Sequence, residues 1–116
     1  MHPSYVEEQI QDGLVQGIRW ALDGEYIYGK KGGLQNAGFL DYHVPVASDV
    51  PMVEAVTIKK PNPNHKYVVK SVGEVNICPP MAVIANAIEN ATGVRLQSLR
   101  MAPPRVLAAI AAARIA

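Results

Sequence analysis

The chain has 116 residues, enough for one small domain with one modest core and too few for a multi-centre enzyme. Its formal net charge is +1, from 11 basic and 10 acidic residues scattered along the chain, which implies neither nucleic acid nor an anionic membrane as partner. No window reaches the length of apolar residues that spans a bilayer, and no basic region followed by an apolar run opens the chain, so a soluble cytoplasmic protein is expected.

The first element is expected as a helix from about Tyr5 to Leu22. Ser4-Tyr-Val-Glu7 has the form of a capping box, and Val6, Ile10, Leu14, Ile18 and Ala21 recur at helical spacing up to the stop at Asp23-Gly24. Gly13 and Gly17 lie four apart inside it. Each costs up to about 1 kcal/mol relative to alanine, and such a pair admits either a neighbouring backbone or a flat ligand. Gln9 sits one turn before Gly13 on the same side.

Glu25-Tyr-Ile-Tyr28 followed by Gly29-Lys-Lys-Gly-Gly33 reads as a strand entering a glycine-rich hairpin. Gly32-Gly33 is no phosphate loop, because neither Gly-Lys-Ser/Thr nor a helix follows. Residues 39–51 read as extended segments with turns. Val53, Ala55 and Thr57 alternate as in a strand, Pro61-Asn-Pro-Asn-His65 reads as a surface turn, and Tyr67-Val-Val69 as a short strand. Val69 leads into the loop Ser71-Val-Gly-Glu74.

A second helix is expected from Pro79-Pro80, with Met81, Ile84, Ala85, Ile88 and Ala91 as its buried stripe and Gly93 as its stop. Val94 to Leu99 looks like a strand, and Pro103-Pro104 opens an alanine-rich last helix. The fold class this predicts is α+β, three helices packed on short, mostly antiparallel strands.

Cys78 is the only cysteine, so the chain alone makes no internal disulfide and holds no iron–sulfur cluster. His2, His43 and His65 show no ligand-like spacing, and no metal held through protein side chains is expected. No Ser, Cys or His stands in a nucleophile setting, which argues against a free-standing hydrolase. Glu74 follows a glycine, whose missing Cβ frees the backbone, so its carboxylate can be aimed at a ligand.

Lys70-Ser-Val-Gly-Glu74 followed by Pro80-Met-Ala-Val-Ile-Ala-Asn-Ala-Ile88 and Ala91-Thr-Gly-Val-Arg95 resembles the end of the large, molybdenum-binding subunit of the xanthine dehydrogenase and aldehyde oxidase family. Three further stretches are similar to that family. They are the helix from His2 to Ile18, the stretch Phe39-Leu-Asp-Tyr-His-Val-Pro45, and Pro103-Pro-Arg-Val-Leu107. The resemblance implies that residues 1–116 are the C-terminal segment of a molybdopterin-binding domain, incomplete without the rest of the subunit.

It also implies roles. Glu74 matches the family's active-site base for hydroxylation of an electron-poor carbon with oxygen from water. Gln9 matches a glutamine that hydrogen-bonds near the cofactor, and Ser71, Val72 and Gly73 match the loop around it. The implied cofactor is the molybdenum cofactor, as molybdopterin or its dinucleotide form, shared with a partner chain, with neither an iron–sulfur cluster nor FAD in this chain.

The implied partners are a larger molybdenum-binding polypeptide with iron–sulfur and FAD subunits, and a small substrate, an aldehyde or an N-heterocycle. A face built from the glycine side of the first helix and the Ser71–Glu74 loop is expected to be covered by another polypeptide, or to self-associate if the chain is isolated. The other reading is a non-catalytic interaction or assembly module with Glu74 idle. Departures from the family pattern are Glu8 and Asp12 in place of glycines, which put the Gln9 contact in question, and Val75-Asn76 in place of Pro-Pro, which predicts a less rigid exit from the loop.

Overall fold

A computed structural model describes residues 2–115. In chain order it holds α1 (Pro3–Leu22), a one-turn 3-10 segment (Glu74–Asn76), α2 (Cys78–Thr92) and α3 (Pro103–Ile115). α1 begins at Pro3, where a missing N–H costs nothing because the first turn has no acceptor for it. The capping box does not form: Ser4 Oγ shares a hydrogen bond of 2.7 Å with His2 Nδ1, and no side chain caps the helix. Proline's fixed φ starts the helix two residues earlier than the box would. At the other end Asp23 and Gly24 N–H groups both donate to the Arg19 carbonyl, at 2.9 and 2.8 Å.

α2 and α3 start and stop close to the sequence signals. Gly93 closes α2 in the left-handed region with φ 72°, its N–H on Glu89 O at 2.7 Å. Arg95 then turns back along the helix, with Nη1 donating to Asn86 Oδ1 and Glu89 Oε2 at 2.6 Å each. The segment leading into α3 docks on the end of α1, where Met101 N–H donates to Ala21 O at 2.7 Å and both side chains are buried.

The expected strand layer is a correction. Among the described residues the single ladder contact is an antiparallel bridge between Tyr28 and Leu34. The hairpin around Gly29–Gly33 is present but is clasped by a side chain. Asn36, buried, accepts from Ile27 N–H through Oδ1 at 2.8 Å and donates from Nδ2 to Glu25 O at 2.5 Å. Residues 53–59 and 94–99 run without strand pairing. At 67–69 the chain turns instead: Val68 takes φ 51°, its N–H donates to His65 O at 2.8 Å and its carbonyl accepts from Asn62 N–H at 3.2 Å. A β-branched residue at positive φ is strained. β-propensity supplies extended backbone, but a sheet needs an adjacent strand to take its hydrogen bonds, and this chain brings none alongside.

The core is correspondingly thin. Val6, Ala21 and Met101 are its buried apolar residues, and among the described residues no large side chain is fully buried. The accessible surface is 9078 Å², against roughly 6,200 Å² for a compact monomer of this mass. The radius of gyration is 18.0 Å, against about 13 Å for a compact domain of this length. No helix among the described residues is long and apolar enough to cross a membrane.

Candidate functional site

The two glycines of α1 decide what lies against it. A Cβ on Gly13 would stand 2.8 Å from Asn76 Cβ, and one on Gly17 would be 2.9 Å from Pro80 Cγ and nearer still to the Ile77 carbonyl. The chain's own 3-10 turn and the first turn of α2 therefore fill the notch, so the pair serves backbone packing and not a flat ligand. Both glycines are buried, and the cost of helical glycine is offset by the close crossing it allows. Beside the crossing runs an apolar groove of about 290 Å³, lined by Ile10, Leu14, Ile18, Pro79, Val83 and Ile84.

This crossing brings the Ser71–Glu74 loop to the Gln9 turn. Asn76 Nδ2 donates to Val72 O at 3.0 Å and to Gln9 O at 3.3 Å. Both amide hydrogens are thereby spent on carbonyls that lie 63 residues apart in sequence, Val72 in the loop and Gln9 in α1. The exit from the loop takes a defined form here. Without Pro-Pro after Glu74, the chain makes a 3-10 turn and a side-chain clasp, and these fix it to the helix.

The candidate residues differ in setting. Glu74 is exposed at the first position of the 3-10 turn, its carbonyl accepting from Ile77 N–H at 3.2 Å. Its carboxylate makes no hydrogen bond or ion pair among the described residues. Gln9 is exposed on the adjoining turn of α1, with its side chain unengaged and its carbonyl held by Asn76. Ser71 and Gly73 are exposed, Val72 is half-buried, and nothing lies within 4 Å of where a Gly73 Cβ would be. Gly73 has φ −62° and ψ −89°, outside the regular helical and extended regions, and the space beside it is open.

No three His, Cys, Asp or Glu side chains gather among the described residues in a way that could hold a metal ion. What these neighbouring segments offer is an exposed carboxylate, an exposed primary amide and loop backbone. Such groups can supply hydrogen bonds and a proton acceptor to a ligand. Asn76 is the residue that sequence reasoning missed. Its signal was present only as a polar amide replacing proline, and its two acceptors come from parts of the chain that meet only in the fold.

The molybdopterin cofactor-binding domain family matches residues 1–51. The chain is 37% identical over 107 residues to the xanthine dehydrogenase molybdenum-binding subunit of Escherichia coli O157:H7, covering 91% of this chain and 14% of that one. It is 38% identical to the aldehyde oxidoreductase of Megalodesulfovibrio gigas, covering 90% of this chain and 11% of the relative. Among solved structures, quinoline 2-oxidoreductase from Pseudomonas putida 86 matches with a TM-score of 0.83 at 28% identity, over 94% of this chain and 14% of that one. The chain thus spans only 11 to 14% of the length of these relatives, and over that span it belongs to the molybdenum-binding subunits of the xanthine dehydrogenase and aldehyde oxidoreductase family.

Proposed function

We propose that residues 1–116 form the C-terminal segment of a molybdopterin-binding domain and contribute the glutamate base, Glu74, to a molybdenum hydroxylase site whose other wall belongs to a larger polypeptide. The observation that carries this reading is the Asn76 clasp, which ties the loop bearing Glu74 to the helical turn bearing Gln9 through bonds of 3.0 and 3.3 Å. The clasp brings the two backbone segments together, and in this reading the Glu74 and Gln9 side chains face the same ligand.

The residues fit one side of such a group. Gln9 would hold it through its side-chain amide, and Ser71, Val72 and Gly73 would hold it through the loop, where the space beside Gly73 leaves room for a bulky neighbour. The molybdenum cofactor, as molybdopterin or its dinucleotide, supplies the redox chemistry of hydroxylation when bound. Glu74 accepts the proton of the attacking oxygen at a carboxylate oxygen. A covering wall would exclude water from it and raise its affinity for that proton, as burial does for any carboxylate. The substrate class is an aldehyde or an N-heterocycle, attacked at its electron-poor carbon. The partners are the larger molybdenum-binding polypeptide and iron–sulfur and FAD subunits.

Glu74→Gln in the assembled protein is expected to abolish turnover while molybdenum and pterin content stay at the wild-type level. Activity retained within a few-fold would remove Glu74 from the role of base. A second reading, a non-catalytic assembly module with the same fold, is favoured by the exposure of Glu74 and its lack of a side-chain partner among the described residues. Copurification separates the two, because a module would carry neither cofactor nor the capacity to restore activity to a truncated large subunit.

A further inference from the structure

At the far end of α1 from Gln9, two arginines line one groove of about 250 Å³ together with Gln16, Trp20, Tyr26 and Tyr42. Tyr26 and Tyr42 stack with ring centroids 4.9 Å apart and planes 2° from parallel. The Arg19 guanidinium lies over the Tyr42 ring, 4.1 Å from its centroid, and its Nε donates to His43 O at 3.1 Å. Arg100 approaches one acidic group, with Nη1 3.6 Å from Glu25 Oε1, outside hydrogen-bond reach.

Hydrogen-bond supply and demand do not balance here. Two guanidiniums present ten N–H bonds, and the Arg19 Nε bond is the one satisfied within the described residues. Arg19 Nη2 and Arg100 Nε are moreover shielded from solvent without an acceptor. Arg100 is only 27% exposed, so water does not make up the deficit freely. The charges are unbalanced too, two cations facing one carboxylate that does not reach hydrogen-bond distance. The neighbouring Tyr42 holds the Tyr26 hydroxyl above its ordinary pKa, so Tyr26 adds no negative charge.

We propose that the groove between Arg19 and Arg100 is an oxyanion site, taking a carboxylate or phosphate group on the two guanidiniums with the Tyr26–Tyr42 stack as its floor. A planar guanidinium pairs with two oxygens of such a group at once, and the aromatic face fixes the fork in place. The oxyanion comes from one of two sources, a free small anion or an acidic side chain of the polypeptide that covers this chain. The site is independent of Glu74 and of the reading built on it.

The test is arginine modification with phenylglyoxal, read peptide by peptide by mass spectrometry. It is run on the assembled protein and on the dissociated chain, with and without inorganic phosphate. Arg95, paired with Glu89, and Arg114 near the end of α3 serve as internal controls. Phosphate is expected to slow modification of Arg19 and Arg100 by roughly tenfold, the scale of a charge-assisted pair, and to leave the controls unchanged. Protection in both preparations assigns a free anion. Arginines that are inert in the assembly and become phosphate-protectable on dissociation assign an acidic side chain of the covering polypeptide. Arg19→Gln should remove the protection of Arg100, because the site needs both forks. Arg19 and Arg100 reacting at the rate of Arg114 with or without phosphate in both preparations, or inert in both, would overturn the proposal.

Discussion

Asn76 shows how one side chain can set the position of another that it does not touch. Its amide donates both hydrogens, to Val72 O and Gln9 O, and its Cβ packs where Gly13 leaves no side chain. Asn76→Asp would replace the two donors with acceptors facing carbonyl oxygens, a change from attraction to repulsion. It should cost roughly 1–3 kcal/mol locally, more than Asn76→Ala, which loses the bonds without adding the repulsion. The measurement is amide hydrogen exchange over residues 71–76, expected to quicken in the order wild type, Ala, Asp. Equal protection in all three would show that the turn is held by backbone packing alone.

Asp49 is a second residue whose behaviour follows from its neighbours. Its Oδ2 accepts from Val46 N–H and pairs with His43 Nε2, both at 2.9 Å. The backbone N–H first, and the His43 bond second, hold its carboxyl below the ordinary carboxylate value. A depressed folded value means the turn is supported above the unfolded pKa of about 3.9 and loses that support as pH falls through the folded one. The 46–49 turn is therefore expected to keep its structure down to about pH 4 and to loosen below it. A carboxyl-carbon NMR titration of Asp49 would read this directly, and a midpoint at or above the ordinary aspartate value would contradict the pairing.

At the scale of elements, the helices end where their chemistry says they should. Gly93 occupies the left-handed region at φ 72°, where a Cβ is strained although the space around it is open. Gly93→Ala should cost about 1 kcal/mol, and Gly93→Asn less, because asparagine tolerates this region. The check is the denaturation midpoint of the protein that carries the chain. No difference between the two variants would mean that the end of α2 frays.

These caps also explain what was legible in the sequence. α2 and α3 could be placed from Pro79-Pro80, Gly93 and Pro103-Pro104 because each signal acts within one turn of its residue. The strands could not be placed, because Val53-Glu-Ala-Val-Thr57 states a preference for extended backbone and says nothing about what pairs with it. The site was half legible. The residues of the loop and Gln9 could be named from resemblance, but the clasp through Asn76 joins carbonyls of two segments that only the fold brings together.

At the scale of the molecule, the surface exceeds that of a compact monomer by roughly 2,900 Å², several times the roughly 800 Å² that one partner contributes to a standard interface. Large apolar side chains stand exposed along the chain, several of them between residues 39 and 58. Leu40, Met52 and Ile58 are 98, 100 and 86% exposed, and Leu107 on α3 is 68% exposed. Water is a poor neighbour for such groups, and a soluble monomer seldom presents so many together. In the proposed function, the chain's extended middle would complete its hydrogen bonding and burial on the rest of a molybdopterin-binding domain. On its own, the chain should bind an apolar dye strongly and sediment as associated species whose size grows with concentration. Supplying the remainder of a molybdenum-binding subunit should abolish both effects and slow protease cleavage between residues 52 and 70. A monodisperse monomer without dye binding would show that these residues find partners within the chain after all.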